Sequence, residues 1–358
     1  MYDRIYNFAA GPSQLPLEVL EEIHKDLFNY KGTGMSVMEM SHRSKMYLEI
    51  FNETKENLRK VMDIPEDYEI LFIQGGATEQ FAAIPLNFFK NNKADYIVTG
   101  AFSKKAAKEA AKFGEVNVIY DAGPDYDHIP TNDQLKFNDD ADYVYICANN
   151  TIYGTEWHEY PKCDKPLIAD MSSDICSHVI NVRDFGMIYA GVQKNLGIAG
   201  LALVIIRKDL IDGHKENIPQ LFEYDNQVKN DSMINTPPTF AIYVLGLMAK
   251  WILSKGGVKE LEEVNKKKAK LLYDLIDEDD FYKGHARKDS RSLMNVTFNL
   301  ANEELEAKFV KEAKAAGMEN LKGHRSVGGI RASIYNAMPM EGVEKLVAFM
   351  KEFKENNK

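Results

Sequence analysis

The sequence has little cysteine. Three of its 358 residues are cysteine, Cys147, Cys163 and Cys176, and no two of them have CxxC spacing. An odd number of scattered cysteines excludes a small scaffold held by disulfides and does not supply the paired thiols of a zinc site. We therefore expect free thiols, a reducing compartment and no metal site.

Long apolar runs and basic tracts are also missing. No stretch offers the roughly 18 uncharged apolar residues of a membrane span, and residues 1–7 lack the apolar segment of a signal peptide. Lys and Arg number 44 against 54 Asp and Glu, a net charge of −10, and no basic tract is dense enough to follow a phosphate backbone. We expect a cytoplasmic protein without membrane or nucleic-acid partners, in which an anionic substrate needs locally placed arginines.

Several common site motifs are absent as well. The chain has no GxGxxG after a predicted strand and no GxxxxGK[ST], so it lacks the glycines of the usual dinucleotide and P-loop sites. It also lacks HExxH and GxSxG, which excludes the common zinc-peptidase and serine-hydrolase signatures.

The composition is that of a globular chain, with 45% hydrophobic and 27% charged residues. The length predicts two domains, or one large α/β unit with a smaller appendage. From about Pro16 to Gly256, β-branched and aromatic runs alternate with amphipathic patterns, which predicts a mostly parallel sheet covered by helices on both faces. The seven predicted strands are 68–74, 94–99, 116–121, 142–147, 166–170, 187–190 and 201–207. The predicted helices include 17–29, 48–62, 79–89, 104–113 and 238–255.

The pattern changes after residue 257. A helix rich in Lys and Glu is followed by alternating strands and helices, predicted at 258–278, 292–300, 302–316, 330–335 and 340–355. We therefore predict an α/β protein with a large domain over 16–256 and a small C-terminal α/β domain over 257–358. Residues 1–15 are expected to pack on the small domain.

Residues that could carry chemistry follow three predicted strands, where open α/β sheets bind ligands. After strand 68–74, Gly75 and Gly76 allow a tight turn, and the N–H groups of Ala77 and Thr78 at a helix N-terminus would attract a phosphate monoester. The alternative is an ordinary strand-to-helix turn in which Thr78 is the N-cap.

The other two segments each end in one ionisable side chain. Asp170 ends an apolar strand, where it could pair with a heteroaromatic N–H⁺ or merely cap the following turn. Lys194 stands among glycines and uncharged residues, where a lowered pKa would favour an imine with a carbonyl, although a solvated turn lysine is the alternative. Pyridoxal phosphate requires all three features: a binding site for its phosphate, an acid that pairs with its ring nitrogen, and a lysine that forms an imine with its aldehyde.

The chain resembles the phosphoserine aminotransferases, which are class V, fold-type I pyridoxal-phosphate enzymes. The resemblance runs almost from end to end. It is carried by Asn7-Phe8, Gly11-Pro12, the segments 35–43, 75–78, 80–81, 169–170, 172–173, 189–191, 193–195 and 235–240, and Gly323-His324-Arg325 with 331–337.

The resemblance implies a role for each matching position of a cofactor site. Lys194 matches the Schiff-base lysine, which also moves a proton during transamination, and Asp170 matches the partner of the pyridinium nitrogen. Thr151 matches a hydroxyl that contacts the ring oxygen, and Phe102 stands where many relatives have a tryptophan stacked on the ring. The phosphate-binding positions are Ala77, Thr78 and Gln193, together with Asn235 and Thr236 from the other subunit of a homodimer.

The resemblance also implies the substrates. His42, Arg43, His324 and Arg325 match residues that bind the substrate's side-chain anion, and Arg331 matches the residue that binds its α-carboxylate. The implied reaction is a ping-pong transfer of the amino group of L-glutamate to 3-phosphohydroxypyruvate, giving O-phospho-L-serine and 2-oxoglutarate in serine biosynthesis. The homologous keto acid of pyridoxine biosynthesis is a secondary expected substrate.

Two alternatives stay open at this point. One is another class V aminotransferase, or a cysteine desulfurase, although a desulfurase needs a late nucleophilic cysteine and none follows Cys176. The other is a non-catalytic binding protein on the same fold.

Overall fold

The fold is described from a computed structural model that covers residues 4–212 and 215–357. Its helices are α1 (Leu17–Asp26), α2 (Lys45–Met62), α3 (Ala77–Phe88), α4 (Ala101–Ala110), α5 (Tyr224–Lys229), α6 (Thr239–Ser254), α7 (Val258–Ile276), α8 (Glu303–Ala315) and α9 (Met340–Asn356). Within the described ranges, no single helix is long and apolar enough to cross a bilayer; α6 and α7 pass that test together by length and composition only, and they meet at an 82° bend.

Short and long strands make up four sheets. The strands are β1 (Tyr6–Asn7), β2 (Tyr68–Gln74), β3 (Lys93–Val98), β4 (Glu115–Asp121), β5 (Val144–Cys147), β6 (Asn149–Asn150), β7 (Thr155–Glu156), β8 (Leu167–Asp170), β9 (Met187–Gly191), β10 (Leu201–Arg207), β11 (Lys283–Gly284), β12 (Asn295–Asn299), β13 (Met318–Glu319) and β14 (Ile330–Ser333).

The largest sheet has seven strands in the order β2-β10-β9-β8-β5-β3-β4. Strands β9, β8, β5, β3 and β4 run parallel, whereas β10 is antiparallel to both of its neighbours. All seven predicted strands are present, which confirms the predicted α/β fold with a mostly parallel central sheet. Because parallel strands end at the same edge, the residues that follow β5, β8 and β9 lie side by side.

Helices cover both faces of this sheet. On one face of β2, Ile70 and Phe72 belong to an apolar cluster with residues of α2 and α6. On the other face, Leu71 and Ile73 belong to a second apolar cluster with residues of α3 and α4. Strands β5, β8 and β9 are buried along their whole length. Two covered faces explain why these segments are apolar without alternation.

One helix boundary differs from the prediction in a way that affects the site. The pattern predicted a helix over 104–113, but α4 begins at Ala101. The Ser103 hydroxyl accepts from the N–H groups of Thr99 and Gly100 at 3.0 and 3.1 Å, and it thereby starts the helix earlier. As a result Phe102 lies in the first turn.

A separate antiparallel sheet, β11-β12-β14, packs with α7, α8 and α9 around its own apolar cluster. Phe8 from the N-terminal segment belongs to this cluster, and β1 pairs in parallel with β13. Of the predicted strands here, 292–300 is shorter, at Asn295–Asn299, and 330–335 ends at Ser333. The division into domains at 15/16 and 256/257 stays a prediction.

A buried lysine fixes the segment that follows β14. Lys268 on α7 is completely buried, and its Nζ donates to the carbonyl oxygens of Ile334 and Tyr335 at 2.8 Å and of Met338 at 3.1 Å. Within the same segment, Asn336 N donates to Asn195 Oδ1 at 3.0 Å. The lysine thereby anchors the chain that holds the turn after β9.

Replacing Lys268 by methionine should destabilise the protein. The change keeps most of the side-chain volume but leaves three buried carbonyl groups without a donor, so we expect a loss on the order of 3 kcal/mol in the free energy of unfolding by chemical denaturation. The neighbouring exposed Lys267→Met should change stability by less than about 0.5 kcal/mol. Equal stabilities for the two variants would contradict this account of Lys268.

Candidate active site

The turns after β5, β8 and β9 surround a cavity of about 340 Å³. The N-terminal segment, the first turns of α3 and α4, and residues around β14 complete its wall. The predicted site residues that line the cavity are Ala77, Thr78, Phe102, Thr151, Asp170, Gln193, Lys194, His324 and Arg331.

Lys194 extends into the cavity from the turn after β9. Its Nζ lies 5.5 Å from the centre of the Phe102 ring, and within the described ranges it forms no hydrogen bond or ion pair. Burial lowers the pKa of the Lys194 amine, and the Asp170 carboxylate opposes this shift. The amine is therefore easier to deprotonate than an exposed lysine, as a nucleophile or a base requires.

Asp170 is the last residue of β8 and is buried. Its Oδ1 accepts from the backbone N–H of Ser172 at 2.9 Å and from the hydroxyl of Ser172 at 2.6 Å. Its Oδ2 accepts from the hydroxyl of Tyr189, on β9, at 3.2 Å. Three donors fix the orientation of the carboxylate, which is a precise partner for a positively charged ring nitrogen.

The N-terminus of α3 forms a second wall. Gly76 is its N-cap, without a side-chain capping bond, so the alternative in which Thr78 caps the helix is wrong. Gly75 has a φ of +119°, a conformation that L-residues with side chains rarely adopt. Ala77 and Thr78 are the first two residues of α3, and both line the cavity. Backbone N–H groups at a helix N-terminus favour an anion.

The mouth of the cavity is positively charged. Arg331 on β14 donates through Nη1 to the carbonyl of Thr151 at 3.2 Å, and its buried Nε has no partner among the described residues. Burial lowers the pKa of His324, and the charges of Arg331, Arg325 and Lys105 lower it further. These side chains create a favourable environment for a substrate with two acidic groups.

Comparison with known proteins agrees with this geometry. Residues 5–346 match the family model "Aminotransferase class-V". The chain is 50% identical to the phosphoserine aminotransferase of Desulfotalea psychrophila, over 100% of this chain and 99% of that protein, and 51% identical to that of Lysinibacillus sphaericus, over 100% of both. The chain belongs to the phosphoserine aminotransferase family. This result confirms the resemblance that the sequence motifs indicated.

Solved structures of this family have the same fold. The phosphoserine aminotransferase from Bacillus circulans subsp. alkalophilus superposes with a TM-score of 0.98 at 46% identity, covering 100% of both chains. The pyridoxal-phosphate-bound enzyme from Trichomonas vaginalis superposes with a TM-score of 0.93 at 42% identity, covering 97% of this chain and 100% of that one.

Not every residue that the family resemblance implies reaches the cavity of its own chain. His42 is half-buried, and Arg43, Arg325, Asn235 and Thr236 are exposed. None of these five lines the cavity. The Asn235 side chain instead donates to Gln74 Oε1 at 3.0 Å.

The N-terminal segment also reaches the site, a role that the sequence motifs did not predict. Gly11 has a φ of +135°, and a Cβ there would lie 3.1 Å from Cγ of Lys194. The backbone N–H of Ser13 donates to the Gln193 carbonyl at 3.0 Å, and the Ser13 hydroxyl donates to the Lys194 carbonyl. The Gly11-Pro12 pair was the sequence signal that could have indicated this contact, because glycine is favoured where the backbone has a positive φ and passes close to a side chain.

Ser172, Tyr189 and Cys147 were also missed as contacts of the site. Ser172 accepts from Gly191 N at 2.9 Å in addition to its bonds to Asp170, and so it links the ends of β8 and β9. Cys147, the last residue of β5, lines the cavity, and burial raises the pKa of its thiol. The sequence indicates which residues end a strand. Which strand ends lie next to each other depends on the order of the strands in the sheet, so the contacts of Ser172, Tyr189 and Cys147 could not be predicted.

The lowered pKa of Lys194 can be measured. We expect half-maximal reactivity of its amine toward a small amine-selective reagent at a lower pH than that of Nα-acetyl-lysine, because burial disfavours the ammonium form. Labelling of cofactor-free protein across a pH series, read by peptide mass spectrometry, measures the profile. A Lys194 profile that coincides with the model compound would contradict a desolvated amine.

Proposed function

We propose that this protein transfers the amino group of L-glutamate to 3-phosphohydroxypyruvate, using pyridoxal 5′-phosphate bound through Lys194. The observation that carries the proposal is one cavity that holds a desolvated lysine amine, a fixed buried carboxylate and an open helix N-terminus. The family membership supports the same reaction. The homologous keto acid of pyridoxine biosynthesis stays a secondary predicted substrate.

The residues present fit the cofactor. The α3 N-terminus with Ala77, Thr78 and Gln193 would hold its phosphate, Asp170 its ring nitrogen, and Phe102 one ring face. When bound, pyridoxal phosphate supplies an electron sink that stabilises negative charge at the substrate's α-carbon. Phenylalanine offers a smaller aromatic face than the tryptophan common in relatives and has no N–H donor.

Lys194 has two tasks in this proposal. Its Nζ would hold the cofactor covalently, and the same Nζ, when free, would be the base at the substrate's Cα–H. Asp170 would keep a positive charge on the ring nitrogen of the bound cofactor, because its carboxylate is held in one orientation by Ser172 and Tyr189. Burial of Lys194 serves both tasks because each requires the neutral amine.

The substrate site must accept either a phosphate or a second carboxylate. Arg331 lies at the cavity wall and is assigned to the α-carboxylate, which both substrates share. His324 and Arg325 are assigned to the distal anion. Lys105 adds a third positive charge near His324, and its Nζ lies 5.5 Å from the Phe102 ring centre. A site with several cations favours the phosphate, which carries nearly two negative charges.

A homodimer explains the residues that do not reach the cavity of their own chain. Asn235, Thr236, His42 and Arg43 are assigned to the active site of the other subunit. The segment before His42 presents exposed apolar side chains at Phe28 and Met38, which a subunit interface would cover.

The direct test is turnover of O-phospho-L-serine with 2-oxoglutarate in a coupled assay. Lys194→Ala should reduce kcat at least about a thousandfold, because it removes both the attachment and the base. Lys104→Ala, on exposed α4 surface, should retain wild-type activity. Undiminished turnover in Lys194→Ala would refute the assignment, and wild-type protein whose cofactor spectrum does not respond to glutamate would indicate a non-catalytic binder.

The role of Lys105 can be separated from that of its neighbour. Lys105→Met should lower kcat/KM for phosphoserine about five- to tenfold and that for glutamate less than about twofold, since the phosphate has the larger charge. Each half-reaction is followed separately by stopped-flow absorbance. Lys104→Met is the matched control. An equal decrease in kcat/KM for phosphoserine and for glutamate would contradict a role of Lys105 in the preference for the phosphorylated substrate.

Shared active sites predict complementation between two inactive variants. Lys194→Ala and Arg43→Leu should each be nearly inactive alone. After subunit exchange, half of the dimers carry one intact site, so the mixture should recover about a quarter of wild-type activity. No recovery, in a mixture shown by native mass spectrometry to contain hybrid dimers, would place Arg43 in its own subunit's site.

A further inference from the structure

Two acidic side chains lie one layer behind the cavity wall. Asp174 follows Ser173, which lines the cavity, and Glu156 is paired with Asn149, another lining residue, across the β6–β7 ribbon. Glu156 and Asp174 are each only 1% exposed. They are therefore closed off from bulk solvent although they adjoin the site.

The partners of these carboxyl groups do not balance their charge. Glu156 Oε2 accepts from the Leu293 N–H at 2.5 Å, whereas neither oxygen of Asp174 has a partner among the described residues. Ligand atoms of Glu156, Asp174 and His178 lie within 4.8 Å of one another. Two buried carboxylates this close are costly unless a proton or a metal ion lies between them.

The environment of His178 favours the proton. Its Nε2 lies 2.9 Å from the Tyr160 hydroxyl, and its Nδ1 lies 3.0 Å from the Ser177 hydroxyl and 3.6 Å from Glu156 Oε1. Both ring nitrogens thus have hydroxyl partners, and burial lowers the pKa of His178 to about 4. A structural metal site usually has four ligands. Glu156, Asp174 and His178 offer only three, and both ring nitrogens of His178 already have hydroxyl partners.

We propose that Glu156 and Asp174 share a single proton at neutral pH, so that the pair carries one negative charge, and that Asp174 is a positioning residue for the amine of Lys194. Burial raises the pKa of both carboxyl groups, and the Glu156 charge raises that of Asp174 further. Such a pair titrates as a unit.

The pair adjoins the cavity into which Lys194 extends, because Asp174 directly follows the lining residue Ser173. The charged groups that act on Asp174 besides Glu156 are Asp170, at the end of β8, and Lys194, after β9. Burial raises the pKa values of the surrounding Tyr160, Tyr273 and Tyr335, which are therefore neutral. The thiols of Cys147 and Cys176 are neutral for the same reason. Asp174 and Asp170 together oppose the effect of burial on the pKa of Lys194.

The shared proton predicts a pH-dependent stability. The folded pair keeps a proton that the unfolded carboxyl groups release above about pH 4.5, so wild-type stability should fall as pH rises over the range from 5 to 8. Glu156→Gln keeps a donor toward Asp174 at every pH. Its unfolding midpoint should therefore rise relative to wild type by a few degrees between pH 5 and pH 8, whereas the exposed Glu263→Gln should follow wild type.

Three results would overturn the shared proton. One is parallel pH profiles for wild type and Glu156→Gln. Another is a chelator-induced fall in the wild-type midpoint together with about one metal ion per chain, which would indicate a metal site. The third is the absence, in wild-type protein at pH 7, of the infrared carbonyl stretch of a buried protonated carboxyl group. This last measurement does not depend on the variant folding.

The positioning role rests on the proposed function of Lys194 and needs its own measurement, made on cofactor-free protein. In Glu156→Gln the pair keeps its negative charge, whereas in Glu156→Gln/Asp174→Asn it has none. Amine labelling at pH 7 should modify Lys194 about tenfold faster in the double variant, because a nearby charge no longer favours the ammonium form. Equal labelling rates would overturn the role of Asp174 while leaving the transamination activity of the wild type unaffected.

Discussion

The balance between burial and negative charge at the Lys194 amine is the constraint on which the site depends. Burial lowers the pKa of the amine, and the carboxylate of Asp170 opposes this shift. The sheet sets this balance because it places the end of β8 beside the end of β9. Ser172 bonds to Asp170 on one strand and to Gly191 on the other, and so it holds the two ends in register.

Elements distant in sequence stabilise that arrangement. The N-terminal segment runs from its pairing with β13 to backbone contacts with Gln193 and Lys194. From the opposite side, Lys268 anchors the segment after β14, and Asn336 from that segment contacts Asn195. The backbone of the turn that carries the lysine is thus held by segments from the N-terminal and the C-terminal parts of the chain.

Local pattern in the sequence was sufficient for the seven strands of the central sheet and for the three strand-end motifs, but not for the two-residue strands β1, β6, β7, β11 and β13. Uninterrupted apolar runs such as 201–207 and glycine-rich turns such as 75–76 have short-range causes, and the structure has them where they were predicted. The start of α4 was missed because it depends on a single hydroxyl, that of Ser103. Glu156 and Asp174 carried no signal, since 18 positions of sequence separate two side chains that only the β6–β7 ribbon and the turn after β8 bring together. Arg43 was predicted to bind the substrate but does not line the cavity of its own chain, and no local pattern in the sequence indicates this.

The central claim is that Lys194 forms a covalent bond to pyridoxal phosphate. Reduction of the cofactor-loaded protein with borohydride, followed by proteolysis and peptide mass spectrometry, tests it directly. The account predicts a reduced pyridoxyl group on Lys194 at about one per chain, and none on the exposed lysines of α4. A pyridoxyl group on another lysine, or no modified peptide in protein that has bound the cofactor, would contradict the account.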